Sequence, residues 1–152
     1  MRTKHGFLTI ETRRLPVVDV AYHLPRSEPP MLEDYREAFE EYARIAGQGA
    51  PVVYLLDMRE FNPLQISAAV RKEAAQIFHE YRSRLLPVSV AEARVITSPM
   101  TRCVVTAFDW LTGANKWPCQ QFGTPDEAES WLREELRRFT GREGGRGSAR
   151  WI

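Results

Sequence analysis

The spacing of apolar residues along this chain switches repeatedly between a step of two and a step of three to four, and each switch marks an element. Phe7 to Thr12 alternates, and Leu15 to Leu24 is rich in β-branched residues, so two short strands are predicted with a turn at Arg13–Arg14. Their closeness predicts an antiparallel pair. Pro25 to Pro30 reads as a loop by its prolines. Met31, Tyr35, Phe39, Tyr42 and Ala46 then recur on one helical face, with Gly47 at the C-terminal glycine position. Pro51 to Met58, PVVYLLDM, is a nearly continuous apolar run, the pattern of a strand covered on both faces.

A second helix carries Val70, Ala74, Ile77, Phe78, Tyr81 and Leu85 on one face and ends before Pro87. Its start has two readings. Asn62 caps it, with Pro63 first and Gln65 in the box position, or Ser67 caps it; the NPLQ start is the stronger pattern. Val88 to Ser98 is a strand, and Ser98–Pro99 opens a helix whose inner face is expected to be Met100, Val104, Phe108 and Leu111, closed by Gly113. Cys119 to Phe122 is a short strand. The last helix has Thr124 as cap, Pro125 at its first position and Glu127 completing a capping box. Its stripe is Ala128, Trp131, Leu132, Leu136 and Phe139, with Trp131 expected to be largely buried. Glu129/Arg133 and Glu134/Arg138 are i,i+4 pairs on its wet side.

The order β-β-α-β-α-β-α-β-α predicts one α/β domain with a mixed, mostly parallel sheet. The domain is expected over residues 1–140, with a flexible Gly/Arg-rich tail at 141–152. At 152 residues and 43% hydrophobic, the chain suits a single globular domain. Its net charge of +1 supplies no global field, so neither nucleic acid nor an anionic membrane surface is an expected partner. No run of 18 apolar residues predicts a membrane span, and the start MRTKHGFLTIETRR is not a signal peptide. Cys103 and Cys119 form no CxxC pair and are expected as buried free thiols, which makes a reducing cytoplasm the expected location.

Several residues nevertheless form a recognisable set. Ala93, Val95, Ser98, Pro99 and Arg102 make a strand-to-helix junction of the form A.V..SP..R; Phe122, Thr124, Glu127, Ala128, Trp131 and Leu132 follow as F.T.EEA..WL; and YLLDMR stands at Tyr54 to Arg59. In these motifs the chain resembles the bacterial STAS-like proteins similar to anti-anti-sigma factors (SpoIIAA-like). The element order agrees from Phe7 to Phe139, and the specific motifs cover the second half. The resemblance implies a small regulatory or binding domain, not an enzyme, that acts on a protein partner. It also implies a D-S-S-G phosphorylation motif at Gln65-Ile66-Ser67-Ala68, of which this chain keeps Ser67.

Ser67 at a helix start suits a phosphate, because free N–H groups and the positive dipole end meet it there; it equally suits a plain cap. Asp57 ends a strand, but the acid pair and the lysine of a receiver domain have no counterpart in the chain. Asp57 is instead expected to accept N–H bonds from its loop or to pair with Arg59. His79 lacks the second histidine of HExxH, and GQG at Gly47 precedes a strand, so neither zinc nor phosphate-loop chemistry is expected. Arg142, Arg146 and Arg150 read as a solubilising tail. Two functions remain. One is a non-enzymatic interaction module, without cofactor or metal, that contacts a protein partner through Asp57, Arg59, Ser67, Arg71 and Arg102; homo-oligomerisation stays open. The other is a small-molecule or lipid carrier, or an enzyme, with an apolar pocket near Phe108 to Trp117.

Overall fold

The computed structural model describes residues 1–23, 28–62, 66–113 and 117–149. Strands β1 (Leu8–Arg14) and β2 (Val17–Tyr22) form a hairpin. Helix α1 (Glu28–Ala46), β3 (Val52–Asp57), α2 (Ala68–Leu85), β4 (Ser89–Val95), α3 (Pro99–Thr112), β5 (Cys119–Phe122) and α4 (Pro125–Ala149) follow. The sheet runs in chain order, β1-β2-β3-β4-β5, with the first pair antiparallel and the rest parallel. The expected α/β domain and element order are observed.

This topology decides where the helices go. Each parallel connection moves one strand further in the same direction, and right-handed crossovers of that kind place their helices on one face. Accordingly α1, α2 and α3 share a core with one side of the sheet, built on Phe7, Ile10, Val20, Phe39, Leu56, Ile77 and Phe78. Helix α4 alone covers the other side, where Ala128 and Leu132 meet Val53, Leu55, Ala91, Ala93 and Val95. The winding never reverses, so the sheet has no crevice of the type found at a topological switch point. Space for a ligand has to lie between the sheet and its three-helix layer. No described helix is long and apolar enough to cross a membrane.

Several boundaries differ from the sequence reading. Strand β1 continues to Arg14, which pairs with Val17, and the chain turns at Leu15–Pro16, because proline lacks the N–H that the ladder needs. Helix α1 begins at Glu28; Pro29 and Pro30 fall in its first turn, where the missing N–H has no helical partner to lose. Gly47 keeps the helical course, its N–H bonding Ala43 O, and the left-handed residue is Gly49 at φ 79°. Ser67, in extended backbone, caps α2 by accepting from Val70 N at 3.2 Å, so the NPLQ start is displaced; Pro63, Leu64 and Gln65 lie outside the described residues. Ser98 caps α3 and Gly113, at φ 84°, closes it as expected. Thr124 caps α4 through Glu127 N. Helix α4 does not stop at Gly141, which lacks the positive φ of a terminating glycine, and the expected flexible tail is helical as far as Ala149.

Two helices present faces other than those expected. In α3, Thr101, Val105 and Thr112 are buried, while Met100 is 51%, Trp110 80% and Leu111 48% exposed. Cys103 is exposed on the same helix. The apolar residues of α3 exceed what one buried face can take, and a side-chain hydrogen bond from Thr101 to Phe61 O turns the smaller set inward. In α4, Trp131 is half-buried and lies over Phe122 at 5.6 Å between ring centroids, because the small Ala128 and the slimmer Leu132 take the positions against the sheet.

Candidate functional site

The sheet face beneath α1 to α3 is mainly apolar, and its buried charges stand on β4. Glu92 and Arg94 point from it into the helical layer at 7% and 4% exposure. A shift in register sets their direction. Val52 pairs with Ser89 but Val53 with Ala91, so β4 carries one extra residue. After it, Ala91, Ala93 and Val95 face α4 and the two charges face the opposite way. Arg94 Nε donates to Glu92 Oε2 at 2.7 Å, and its Nη1 donates to Asp109 Oδ2 of α3 at 2.7 Å. The Cys119 thiol donates to Glu92 Oε2 at 3.3 Å. Burial opposes the charge on Arg94, but Glu92 and the hydrogen bond to Asp109 outweigh it and hold its pKa well above the ordinary value.

Over this floor lies a cavity of about 110 Å³. Aromatic side chains dominate its wall: Tyr22 from β2, Tyr35, Phe39 and Tyr42 from α1, Tyr54 from β3, Phe61, Phe78 from α2, Phe108 from α3, and Trp117. They meet in a chain of edge and tilted contacts, such as Tyr42–Tyr54 at 5.5 Å and Tyr54–Trp117 at 5.8 Å. An apolar space of roughly 150 Å³ in another protein holds benzene, so this cavity is of single-ring size. Its polar lining is Glu92, Arg94, Arg71 and tyrosine hydroxyls. Tyr54 shares a hydrogen bond with Ser89 Oγ at 3.0 Å. Among the described residues the hydroxyls of Tyr22, Tyr35 and Tyr42 have no such partner, which leaves them available to a ligand or to water. Burial pushes the Tyr54 hydroxyl up to about 12, with Ser89 moderating the rise, and raises the other three as well. All four are therefore protonated donors at neutral pH.

The residues singled out in the sequence gather at the end of the sheet where the parallel strands finish, as the topology requires of strand ends and following helix starts. Asp57 and Arg59 contact each other directly: Arg59 N and Nε reach Oδ1 at 3.2 and 2.9 Å, and Nη2 reaches Oδ2 at 2.7 Å. The hydrogen bond from the Arg59 side chain holds the Asp57 carboxyl below its usual range. This is the expected pairing, and it occupies both groups with each other. Ser67 is exposed and its Oγ is engaged as the α2 cap. Arg102 is exposed and donates to Ile96 O at 3.3 Å. Arg71 alone of the five lines the cavity. The pocket-bearing segment of the sequence reading contributes Phe108 and Trp117 to the wall, while residues 114–116 lie outside the described ones.

Glu92, Arg94 and Asp109 were not anticipated, and Cys119 was expected only as a free thiol. A signal existed: Glu92 and Arg94 are two apart in an otherwise apolar strand, so both charges share one face of a strand with neighbours on each side. Among the described residues no group of three histidine, cysteine, aspartate or glutamate side chains is placed to hold a metal ion. No family model matches this chain, and no similar protein is found among curated proteins or solved structures.

Proposed function

We propose that this domain binds a small, mainly apolar molecule in the aromatic cavity between the sheet and the layer of α1, α2 and α3. The carrying observation is a partly open space of about 110 Å³ at the main hydrophobic core, lined by aromatic side chains and three tyrosine hydroxyls without a hydrogen-bond partner among the described residues. Cores ordinarily close such space, since an unfilled cavity is destabilising in proportion to its volume. The reading is of binding without chemical turnover: Arg94 on the cavity floor is engaged by Glu92 beside it and by Asp109 of α3.

The test is a ligand-observed NMR screen of single-ring compounds against the protein and its Val105→Phe variant. Val105 is 5% exposed and lines the cavity, so a phenyl ring there takes the space a ligand would use. Binding to the unaltered protein and none to a folded Val105→Phe is expected. Equal binding to both places the compounds elsewhere and refutes the reading.

A second reading, contact with a protein partner in the manner of STAS-like domains, is supported by the outward stripe of α3. Met100, Trp110 and Leu111 expose apolar surface of the kind found at interaction sites. It moves the contact away from the self-paired Asp57 and Arg59. Trp110→Ser should then weaken association with a partner, or with a second copy, while leaving melting unchanged.

A further inference from the structure

Resting on the cavity reading, we infer that the ligand is a small carboxylic acid, with a single ring or a short chain among the aromatic side chains and its carboxylate on Arg71. Arg71 lies in the first turns of α2 and lines the cavity at the end formed by Met58, Phe61 and Ile66. It is half-buried. The one hydrogen bond of its side chain is long, from Nη1 to Ile66 O at 3.4 Å, and among the described residues no carboxylate lies within ion-pair distance of it. A guanidinium has five N–H donors in a fixed fork that fits a carboxylate with two parallel bonds. Here nearly all of that capacity is unused beside an apolar space.

The other charges in the cavity argue for the same orientation. Arg94 has its donors on Glu92 and Asp109, so it offers no free fork to an anion. Glu92, paired across the strands with Tyr54, stands two residues further from the strand ends than Arg94, which pairs with Leu56. An anion at that depth would meet a carboxylate. At the Met58 end it meets Arg71 and, in the neighbouring wall, the Tyr22 hydroxyl, which burial keeps protonated. A cationic ligand would have to place its charge against Arg71 or displace Arg94 from its carboxylates. The small volume limits the apolar part to about one ring.

Isothermal titration calorimetry with phenylacetate, phenylacetamide and benzylamine tests this, because the three share a ring and differ in charge. Phenylacetate should bind at least about tenfold more tightly than the amide, the range expected when a charge-assisted pair replaces a neutral contact. In Arg71→Leu that preference should vanish while the amide is still bound. Arg71→Lys, which keeps the charge without the fork, should retain part of it and guards against a folding defect in the leucine variant. Equal affinity for acid and amide, tighter binding of the amine, or a preference that survives in Arg71→Leu overturns the inference and leaves the cavity reading standing. If none of the three compounds binds, the cavity reading fails and this inference fails with it.

Discussion

Replacing Arg94 by methionine removes the positive charge that pairs with the buried Glu92 and the half-buried Asp109. Arg94 and Glu92 are 4% and 7% exposed, and the guanidinium makes bonds of 2.7 Å to Glu92 and 2.7 Å to Asp109, with Nη2 also 2.6 Å from Glu92. Methionine follows the arginine stem, so little packing is lost and the change isolates the charge. Breaking such a pair on one side strands a buried carboxylate, and the loss should be about 3–5 kcal/mol. Against a total stability on the order of 5–15 kcal/mol the variant should fold, but with a much lower urea midpoint. The loss should shrink as pH falls, since protonating the stranded Glu92 removes the uncompensated charge. Glu92→Gln placed in the Arg94→Met background should recover part of it, as neither charge is then left alone. Urea unfolding of the unaltered protein and these two variants at neutral and mildly acidic pH measures all of this. A single-variant loss below about 1 kcal/mol, or one that is the same at both pH values, would refute the argument, because a surface-like pair behaves that way.

Asp34 is fully buried and accepts from Thr3 Oγ1 at 2.7 Å, Phe7 N at 2.8 Å and His5 N at 2.9 Å, so Asp34→Ala should lose about 2–4 kcal/mol in urea unfolding and expose the N-terminal segment to protease. Trp131→Ala should lose only about 2 kcal/mol, less than a fully buried tryptophan, because its ring covers Phe122 with one side facing out; a loss above about 4 kcal/mol would contradict that placement. At acid pH, carboxyls held low by arginine, Asp57 by Arg59 and Glu134 by Arg137 to about 2, contribute stability that is present above their ordinary range and lost as pH falls through the lowered values. Asp57→Asn should therefore flatten the acid limb of a pH-dependent melting curve, by a small amount for so exposed a pair. At alkaline pH the sign reverses: Tyr54, raised by burial to about 12, contributes stability present below its ordinary value of about 10 and lost as pH rises toward 12. Phenolate absorbance and circular dichroism should change together in that window, and a tyrosine titration completed by about pH 10.5 with the fold intact would argue against it.

The strand and helix order could be read from periodicity because burial on one or both faces leaves a strong local signature, as in the Val52–Asp57 run and the Ala128/Leu132 stripe. Caps were legible where a hydroxyl directly precedes proline, at Ser98 and Thr124. They were not where two hydroxyl- or amide-bearing starts competed, at Asn62 and Ser67, since that choice depends on where the loop enters the helix. The extra residue in β4 leaves no mark of its own in SVAEARV, yet it decides which face Glu92 and Arg94 occupy. The rotation of α3 escaped for a related reason. Its apolar residues surround too much of the helix for periodicity to select a face, and the Thr101 hydrogen bond that does so runs to a residue forty positions away. The cavity is a property of how three helices fail to meet over a sheet, and no single segment encodes it. Arg71 was named for its residue type and place, and only the fold shows that it borders that space.

A sheet whose spatial order repeats its chain order can grow on the ribosome one strand at a time, each new strand finding its only neighbour already laid down. The two faces are not completed together, however. Helices α1 to α3 arrive between the strands and cover their side as it forms, whereas α4 is made only after β5. Until then Val53, Leu55, Ala91, Ala93 and Val95 form an uncovered apolar surface on a finished sheet. Such a nascent chain is the form most exposed to aggregation and to chaperone capture. Substitutions at Ala128 or Leu132 that weaken the closing step should lower the yield of folded protein in cells by more than their effect on the melting temperature alone accounts for.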